Sequence, residues 1–302
     1  MNELSVSAAI AAALAAGKPV VALESTLITH GFAAPLNLDA ARRAEAAVRA
    51  GGAEPATVAV HDGRLLIGLT DAQLEDIAAA QKPRKASRGT LALALAEGGW
   101  AGTTVSATMI AAHLAGIRVF ATGGIGGVHR GGAATWDVSA DLDELARTPV
   151  LVVCAGPKSM LDIDLTLEYL ETRGVPVLGW GTTQLAGFYA QSSGRTLAGS
   201  VANAAATAHV AQTHWSLGLG SGLIICAQLP EAAALDNVVA EAAIAQATAD
   251  AAAAGVHGPA TTPFVLARVA ALTEGRSVTA NLALIENNAS IAAQIALELA
   301  SA

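Results

Sequence analysis

Lys158 lies where a strongly apolar stretch of the sequence gives way to a helical pattern. Residues 150–154 predict a buried strand, Gly156 and Pro157 interrupt it, and residues 159–173 have helical apolar spacing. A helix amino terminus and apolar surroundings both disfavour an ammonium ion, so this lysine is expected to lose its proton easily. A neutral amine attacks carbonyl carbons and forms Schiff bases. The alternative is a lysine whose stem packs on the strand while its ammonium group reaches water.

Glu24 also follows an apolar stretch that predicts a strand, and hydroxyl residues follow it at Ser25, Thr26 and Thr29. A carboxyl group in partly apolar surroundings has a raised pKa and can act as a general acid near neutral pH. The alternative is structural, because a carboxylate can also cap a turn through hydrogen bonds to such hydroxyls. The sequence therefore offers a candidate acid without excluding a cap.

Two stretches are candidates for binding an anion. KPRKASRG, residues 82–89, collects cations in a chain with only 17 Lys and Arg, and a predicted helix begins near Lys85 and Arg88. ATGGIGGVHRGG, residues 121–132, has six glycines whose amides could wrap a phosphate or a sugar, with His129 as a further donor. Neither stretch is a P-loop or a dinucleotide fingerprint. A solvated loop and a mobile loop are the alternatives.

Acidic residues follow in TWDVSADLDELAR, residues 135–147. Ser139 can cap a helix whose first turn holds Asp141 and Asp143, which accounts for these three residues structurally. Asp137 precedes the cap, where its carboxylate could bind a hard divalent cation that keeps several waters. The seven histidines show no zinc spacing, and no GxSxG motif occurs.

The elements that must position these residues alternate between strand and helix. This alternation predicts an α/β fold, a three-layer α/β/α sandwich around a mainly parallel sheet, in a single domain over residues 1–302. Because ligands of open α/β sheets lie beyond the carboxyl ends of the strands, Glu24, the glycine-rich stretch and Lys158 are expected to meet in one crevice. The predicted strands lie in residues 19–25, 56–69, 117–124, 149–156, 175–181 and 222–228, and the main predicted helices are 37–50, 106–115, 159–173 and 236–254, with two more opening near Thr262 and Ser277.

Composition narrows the class of protein. The 302 residues are 53% hydrophobic but only 3% aromatic, so aliphatic side chains must build the core. A net charge of -8 argues against a general affinity for nucleic acid or anionic membranes. Cys154 and Cys226 lie in apolar stretches, which suits buried thiols in a reducing compartment. With no basic leader and no apolar run of roughly 18 residues, a cytoplasmic protein is expected.

Several long motifs together resemble the pseudouridine-5'-phosphate glycosidase family, also called the indigoidine synthase A-like family. They occur in order through nearly the whole chain. The motifs are VALESTLITHGFAAPLN, KASRG, ATGGIGGVHRG, TWDVSADLDEL, VVCAGPKSMLDIDLTLEYLETRGVPVLGWGT and ANLALIENNASIAAQIA.

The resemblance implies an activity and a role for each matching residue. The expected reaction is the manganese-dependent, reversible cleavage of pseudouridine 5'-phosphate, with water, to uracil and ribose 5-phosphate, by a homotrimer that holds one Mn²⁺ per subunit. Lys158 matches the covalent nucleophile, Glu24 the proton donor and Asp137 the metal ligand. The positions that match substrate contacts are Lys85, Val105, His129, Ser139, Ala140, Asp141 and Asn281. The alternatives are another Schiff-base phosphosugar lyase or aldolase, and a non-catalytic phosphosugar-binding protein.

Overall fold

An eleven-stranded sheet organises the chain, whose computed structural model describes residues 3–256 and 258–301. The strands of the chain are β1 (Leu4–Val6), β2 (Val20–Leu23), β3 (Glu54–His61), β4 (Arg64–Ile67), β5 (Arg84–Ala86), β6 (Ala101–Thr103), β7 (Val119–Ala121), β8 (Val128–His129), β9 (Leu151–Cys154), β10 (Leu161–Asp162), β11 (Val177–Trp180), β12 (Gly199–Val201) and β13 (Leu223–Cys226). Of these, β8 and β10 form a separate two-stranded antiparallel sheet. The main path of the sheet runs β1-β4-β3-β2-β7-β9-β13-β11-β12, while β6 and β5 extend it from β3. From β3 through β2 to β12 every neighbouring pair on this path is parallel.

Helices cover both faces of the sheet. They are α1 (Ala8–Ala15), α2 (Leu36–Ala50), α3 (Asp71–Ala79), α4 (Leu91–Glu97), α5 (Val105–Ala115), α6 (Gly132–Thr135), α7 (Ala140–Leu145), α8 (Ile163–Thr172), α9 (Ala204–Ser216), α10 (Asn237–Ala253), α11 (Thr261–Leu272) and α12 (Arg276–Ala300). A π-helical turn spans Leu27–Gly31, and short 3₁₀ turns span Glu231–Ala233 and Gly258–Ala260. Among the described residues no helix has the length and apolarity that crossing a bilayer requires.

Alternating residues along the central strands bind the three layers together. In β9, Val152 and Cys154 pack with residues of α1, α5, α7 and α8, whereas Leu151 and Val153 pack on the opposite face with α2, α9 and α12. All four side chains are buried. A strand that is apolar on both faces is expected where helices cover a parallel sheet from both sides. The predicted three-layer α/β/α sandwich is therefore confirmed.

Most predicted elements occur, and one boundary that bears on the site is wrong. All six predicted strand segments contain strands, and Asp62 and Gly63 form the hairpin turn between β3 and β4. The helix predicted to begin at Ser159 begins at Ile163, because the Asp162 carboxylate accepts the Leu165 N–H at 3.0 Å and caps it there. Residues 161–162 instead pair with β8. The amino terminus of this helix therefore does not lie beside Lys158, and the predicted action of the helix dipole there is wrong.

Candidate active site

The carboxyl ends of three adjacent strands meet at one edge of the sheet. Glu24 follows β2, Thr122 follows β7 and Lys158 lies beyond β9, and these strands are parallel neighbours in the order β2-β7-β9. The expected convergence of Glu24, the glycine-rich stretch and Lys158 is therefore present in the fold.

The backbone of Lys158 is fixed by pairing that continues beyond β7 and β9. Ala155 N–H donates to Gly123 O, Ile125 N–H donates to Gly156 O and Lys158 N–H donates to Ile125 O, each at 3.0 Å. Gly156 has a φ of +89°, a conformation that disfavours any side chain, and an added Cβ would lie 2.9 Å from Leu185 Cδ1. The glycine thus permits the turn that brings Lys158 to the crevice.

Glu24 is buried, and both of its carboxylate oxygens accept a hydroxyl hydrogen bond. Thr26 Oγ1 donates to Oε2, and Thr122 Oγ1 donates to Oε1. The other two hydroxyls predicted near it are used elsewhere, since Ser25 Oγ donates to Val58 O at 2.6 Å and Thr29 Oγ1 donates to Ser25 O at 3.2 Å. The threonine clamp fixes the direction in which Glu24 points and leaves it facing the crevice.

One crevice with two lobes contains most of the candidate residues. The first, called here the Glu24 lobe, is lined by Glu24, His30, Phe32, Thr122, Phe188, Leu266, Asn281 and Ile285 among others. The second, called here the Asp137 lobe, is lined by Ser87, Thr90, Thr104, Gly126, His129, Asp137, Ser139, Ala140 and Asp141 among others. The two lobes share Thr26, Lys85, Lys158 and Thr262. The two lysines therefore stand between an acid-bearing, largely apolar lobe and a hydroxyl-rich lobe.

Lys85 supplies positive charge to this shared wall. Burial and the neighbouring Lys158 ammonium lower the pKa of Lys85, against smaller opposing influences from Glu24 and Asp141. Among the described residues, neither lysine forms an ion pair or donates a side-chain hydrogen bond to protein. Partly buried ammonium groups without protein partners favour an anionic ligand.

The two arginines of the predicted cationic run form ion pairs within the protein. Arg84 forms an ion pair with Glu97, and Arg88 forms one with the buried Glu144. The expectation that Arg88 contributes to an anion site is therefore wrong, and anion binding by Lys85 stays a prediction. Arg88 is unavailable because it neutralises a carboxylate that would otherwise be buried without a partner.

Part of the glycine-rich stretch packs closely against neighbouring segments. Gly126 N–H donates to Asp141 Oδ2 and Val128 N–H donates to Thr166 Oγ1, both at 2.9 Å. A Cβ on Gly126 would lie 2.2 Å from Ser139 Oγ, and one on Gly127 would lie 2.4 Å from Thr166 Oγ1. These two glycines allow neighbouring segments to approach, and the wrapping of a phosphate or a sugar by the remaining amides stays a prediction.

Asp141 holds three segments of the crevice wall together. Its Oδ1 accepts the Ser106 N–H and its Oδ2 accepts the Gly126 N–H, each at 2.9 Å, and its own N–H donates to Ser139 Oγ at 3.2 Å. Ser139 is the N-cap of α7, as predicted. Ala140 is exposed on the lobe surface. The buried Asp141 carboxylate therefore positions these segments of the crevice wall.

Asp137 lies at the Asp137 lobe with its side chain 48% exposed, and its Oδ2 is 3.9 Å from His129 Nδ1. Within residues 3–256 and 258–301, no three His, Cys, Asp or Glu side chains come together as a metal-binding group. A hard divalent cation can nevertheless bind through a single carboxylate when water and ligand oxygens complete its shell. The donor set at Asp137 fits an ion of that kind and does not form a cage of protein ligands.

The remaining predicted residues divide into one inside the crevice and one beneath it. Asn281, on α12, lines the Glu24 lobe, and its Oδ1 would lie 3.5 Å from a Cβ on Gly123. Val105 is the first residue of α5, and its side chain is buried in the core and lines neither lobe. The preceding Thr104 lines the Asp137 lobe. Its proposed contact with a substrate stays a prediction.

Several lining residues were not singled out from the sequence. Thr122 lies within the predicted strand segment 117–124, but its hydrogen bond to Glu24 joins residues 98 positions apart, and no local sequence pattern predicts it. Phe188 lines the Glu24 lobe with a φ of +64°, an unusual value for a bulky residue, and its ring meets Tyr189 edge-on at 4.9 Å. An outlying backbone conformation is visible only in three dimensions.

Comparisons with known proteins give one family over most of the chain. The family described as indigoidine synthase A like protein matches residues 9–298. A protein of Cupriavidus pinatubonensis named pseudouridine-5'-phosphate glycosidase is 51% identical over 299 residues, covering 99% of this chain and 95% of the relative. A protein of Herpetosiphon aurantiacus with the same name is 51% identical over 299 residues, covering 99% of both chains.

Two solved structures share the fold. The prealnumycin C-glycosynthase AlnA, in complex with ribulose 5-phosphate, is 38% identical with a TM-score of 0.91, covering 100% of this chain and 98% of that one. An indigoidine synthase A-like protein of Thermotoga maritima is 30% identical with a TM-score of 0.88, covering 98% and 96% of the two chains.

The electrostatic coupling in the shared wall predicts opposite effects of two substitutions on the pKa of Lys85. Lys158→Met removes a like charge and should raise that pKa, whereas Glu24→Gln removes an opposite charge and should lower it. NMR titration of ¹³C-labelled lysine is practicable because the chain has only four lysines. Lys82→Met, on the exposed loop, is the control and should leave the Lys85 titration in place. Equal titrations in all four proteins would show that the two lysines are not coupled.

Proposed function

Because the chain belongs to the indigoidine synthase A-like family, we propose that it cleaves the C–C glycosidic bond of pseudouridine 5'-phosphate, with water, to give uracil and ribose 5-phosphate. The reaction is reversible and proceeds through a Schiff base on Lys158, with Glu24 as the proton donor. One observation carries this proposal. Two lysines that pair with no described residue and a carboxyl group held by two threonines line the same crevice at the ends of three adjacent strands.

The chemistry of a C-glycoside explains the need for a lysine. An ordinary glycosidase protonates the leaving oxygen or nitrogen and uses a second carboxylate on the opposite face. In pseudouridine the leaving atom is a ring carbon with no lone pair to accept that proton. The sugar carbon must therefore be left as something more stable than a bare oxocarbenium ion, and an iminium on lysine meets this need.

The proposed sequence of steps uses the two lobes differently. The Lys158 amine adds to C1', the C1'–O4' bond breaks so that the ribose ring opens, and a proton passes from the nitrogen to O4'. Glu24 then protonates the uracil carbon that is bonded to C1'. The C–C bond then breaks, its electron pair stays with the uracil ring, and the lysine nitrogen lone pair forms the iminium with C1'. Water hydrolyses this iminium and releases ribose 5-phosphate. Each step takes place in the Glu24 lobe, beside Lys158.

The lobes also suggest where each end of the substrate lies. The Glu24 lobe has apolar walls such as Phe188 and Ile285 that suit the flat uracil ring, with Asn281 able to hydrogen-bond its edge. The Asp137 lobe is rich in hydroxyls, and Lys85 and His129 supply positive or donor groups for the phosphate. The complex of the related AlnA with ribulose 5-phosphate supports a phosphosugar ligand. Binding the phosphate remote from the reacting bond supplies energy for the distortion at C1'.

We also propose that a manganese ion binds in the Asp137 lobe. Asp137 would hold it, and the bound ion would supply positive charge to the phosphosugar oxygens. The assembly proposed from the family resemblance is a homotrimer with one ion per subunit. A reducing, cytoplasmic location is proposed as well, and the two free, buried cysteines support it.

The reaction itself is tested by incubating the purified chain with pseudouridine 5'-phosphate and Mn²⁺ and detecting uracil by chromatography. Uracil should form from the phosphate ester, and unphosphorylated pseudouridine should react far more slowly because the anion-binding contacts are lost. Absence of uracil from both compounds, with folded protein and metal supplied, would exclude the proposed cleavage. Trapping of ribose 5-phosphate without such cleavage would instead indicate a phosphosugar lyase or aldolase.

The covalent role of Lys158 is tested by borohydride reduction in the presence of ribose 5-phosphate. The wild-type chain should gain the mass of one reduced pentose phosphate, and Lys158→Ala should gain nothing and lose turnover. Lys82→Ala is the matched control, because this lysine lies on the surface outside both lobes and should leave trapping unchanged. Equal trapping in Lys158→Ala would assign the nucleophile to another residue.

The metal-binding role of Asp137 is tested by comparing Asp137→Asn with Asp143→Asn. Asp143 lies on α7 and pairs with Arg147 and Arg173 at the surface, so its loss should leave Mn²⁺ activation intact. Asp137→Asn should shift the Mn²⁺ concentration for half-activation upward by at least tenfold, because a carboxylate is replaced by a weaker neutral ligand. An unchanged activation curve in Asp137→Asn would place the ion elsewhere.

A further inference from the structure

His30 is an ionisable group of the Glu24 lobe that takes no part in the steps proposed above. It lies in the π-helical turn Leu27–Gly31 and lines the same lobe as Glu24, Lys85 and Lys158. An imidazole beside an electrophilic carbon is a common proton-transfer group. Its role in proton transfer depends on which ring nitrogen faces the lobe and on whether that nitrogen carries a proton.

Thr29 orients the His30 ring. Thr29 Oγ1 lies 2.7 Å from His30 Nδ1 and 3.2 Å from Ser25 O, and its single proton can go to only one of them. We assign that proton to Ser25 O, so that Nδ1 donates to Thr29 and Nε2 of the neutral ring holds the lone pair. Within the part of the chain that the structure describes, Nε2 has no hydrogen-bond partner in the protein.

The surroundings keep the ring neutral. Burial, followed by the positive charge of Lys85, lowers the pKa of His30 below its ordinary value. Lys158 adds a second cation to the same lobe, and Glu24 is the acidic group there. A neutral imidazole with a fixed Nδ1–H is a pre-oriented acceptor for one proton at Nε2.

Glu24 and His30 both line the lobe in which the second proton transfer takes place. Each Glu24 oxygen accepts one threonine hydroxyl, whereas Nε2 of His30 accepts no hydrogen bond from the described residues. After Glu24 has given its proton to the uracil carbon, hydrolysis of the iminium still needs a group to accept a proton from water. The lobe offers one neutral nitrogen with a lone pair for that purpose.

From this geometry we propose that His30 is the general base of the hydrolytic half-reaction, an inference that rests on the proposed function. The water oxygen bonds to C1' of the Lys158 iminium, the π electrons of the C=N bond return to nitrogen, and a water proton moves to His30 Nε2. The imidazolium then gives that proton to the lysine nitrogen of the carbinolamine. The C–N bond breaks, the hydroxyl proton passes to the departing amine, and the products are the aldehyde of ribose 5-phosphate and the Lys158 ammonium.

The step predicts a defined kinetic signature for His30→Gln, whose amide can hydrogen-bond near the Nε2 position but cannot accept a proton. The first turnover should release about one uracil per subunit at the wild-type rate, and later turnovers should slow by about 100-fold, in the range typical for loss of a general base. Borohydride should then trap most subunits as the Lys158 adduct, whereas the wild-type chain in steady state should carry little. Quenched-flow chromatography and intact mass measure the two quantities.

Two additions separate catalysis from a structural role. Hydroxylamine attacks an iminium without a general base, so it should accelerate the slow phase of His30→Gln and release an oxime. Thr29→Val, which removes the partner of Nδ1 but keeps the imidazole, should accumulate an adduct to a smaller extent, and Thr29→Ser should behave as wild type. His113→Gln, at an exposed position on α5, controls for the loss of an imidazole.

The outcomes distinguish this inference from the proposed function. If the wild-type chain turns over while His30→Gln shows neither a burst nor an adduct, the assignment of His30 is wrong. A folded His30→Gln that releases no uracil in the first turnover also overturns it, since the residue then acts before hydrolysis. If His30→Gln does not fold, the two Thr29 variants decide, and equal adduct levels in both would reject the assignment. Absence of uracil from the wild-type chain overturns the proposed function and this inference together.

Discussion

The site depends on parallel pairing that does not stop where β7 and β9 end. Hydrogen bonds continue through Gly123, Ile125 and Gly156 and reach Lys158, so the loop that carries the lysine is held as firmly as a strand. A flexible four-carbon side chain is useful as a nucleophile only if its Cα position is fixed. The ladder supplies that fixed position, and the neighbouring β2 places Glu24 one strand beyond β7.

Charge in the crevice is arranged by leaving the lysines unpaired while neighbouring arginines are neutralised. Arg84 and Arg88 pair with Glu97 and Glu144, and no described carboxylate pairs with Lys85 or Lys158. Holding two like charges in one partly buried wall costs free energy in the empty protein, as the lowered pKa of Lys85 indicates. A phosphorylated ligand relieves that repulsion, so the same residues favour binding of an anion.

The glycine-rich stretch illustrates why composition alone does not define a binding loop. Its amides at Gly126 and Val128 bond to Asp141 and Thr166, and its missing side chains make room for Ser139 and Thr166. Asp141 in turn ties the start of α5 to this stretch. This part of the stretch therefore supports the wall of the Asp137 lobe, while Gly123 and Gly124 line the Glu24 lobe.

The sequence by itself determined the layered fold, the six principal strands and the placement of Glu24 and Lys158 at strand ends, because side-chain periodicity and glycine breaks are local properties of the chain. It also carried motifs long enough to identify the family, which the comparisons confirmed. Only the tertiary structure decided that β2, β7 and β9 are adjacent and that Thr122, 98 positions away, donates a hydrogen bond to Glu24. It also decided that Arg88 forms an ion pair with Glu144 and that α8 begins four residues after Ser159. Partners that meet only through folding leave no periodic trace in the sequence, and a helix start depends on which nearby carboxylate reaches the free amides.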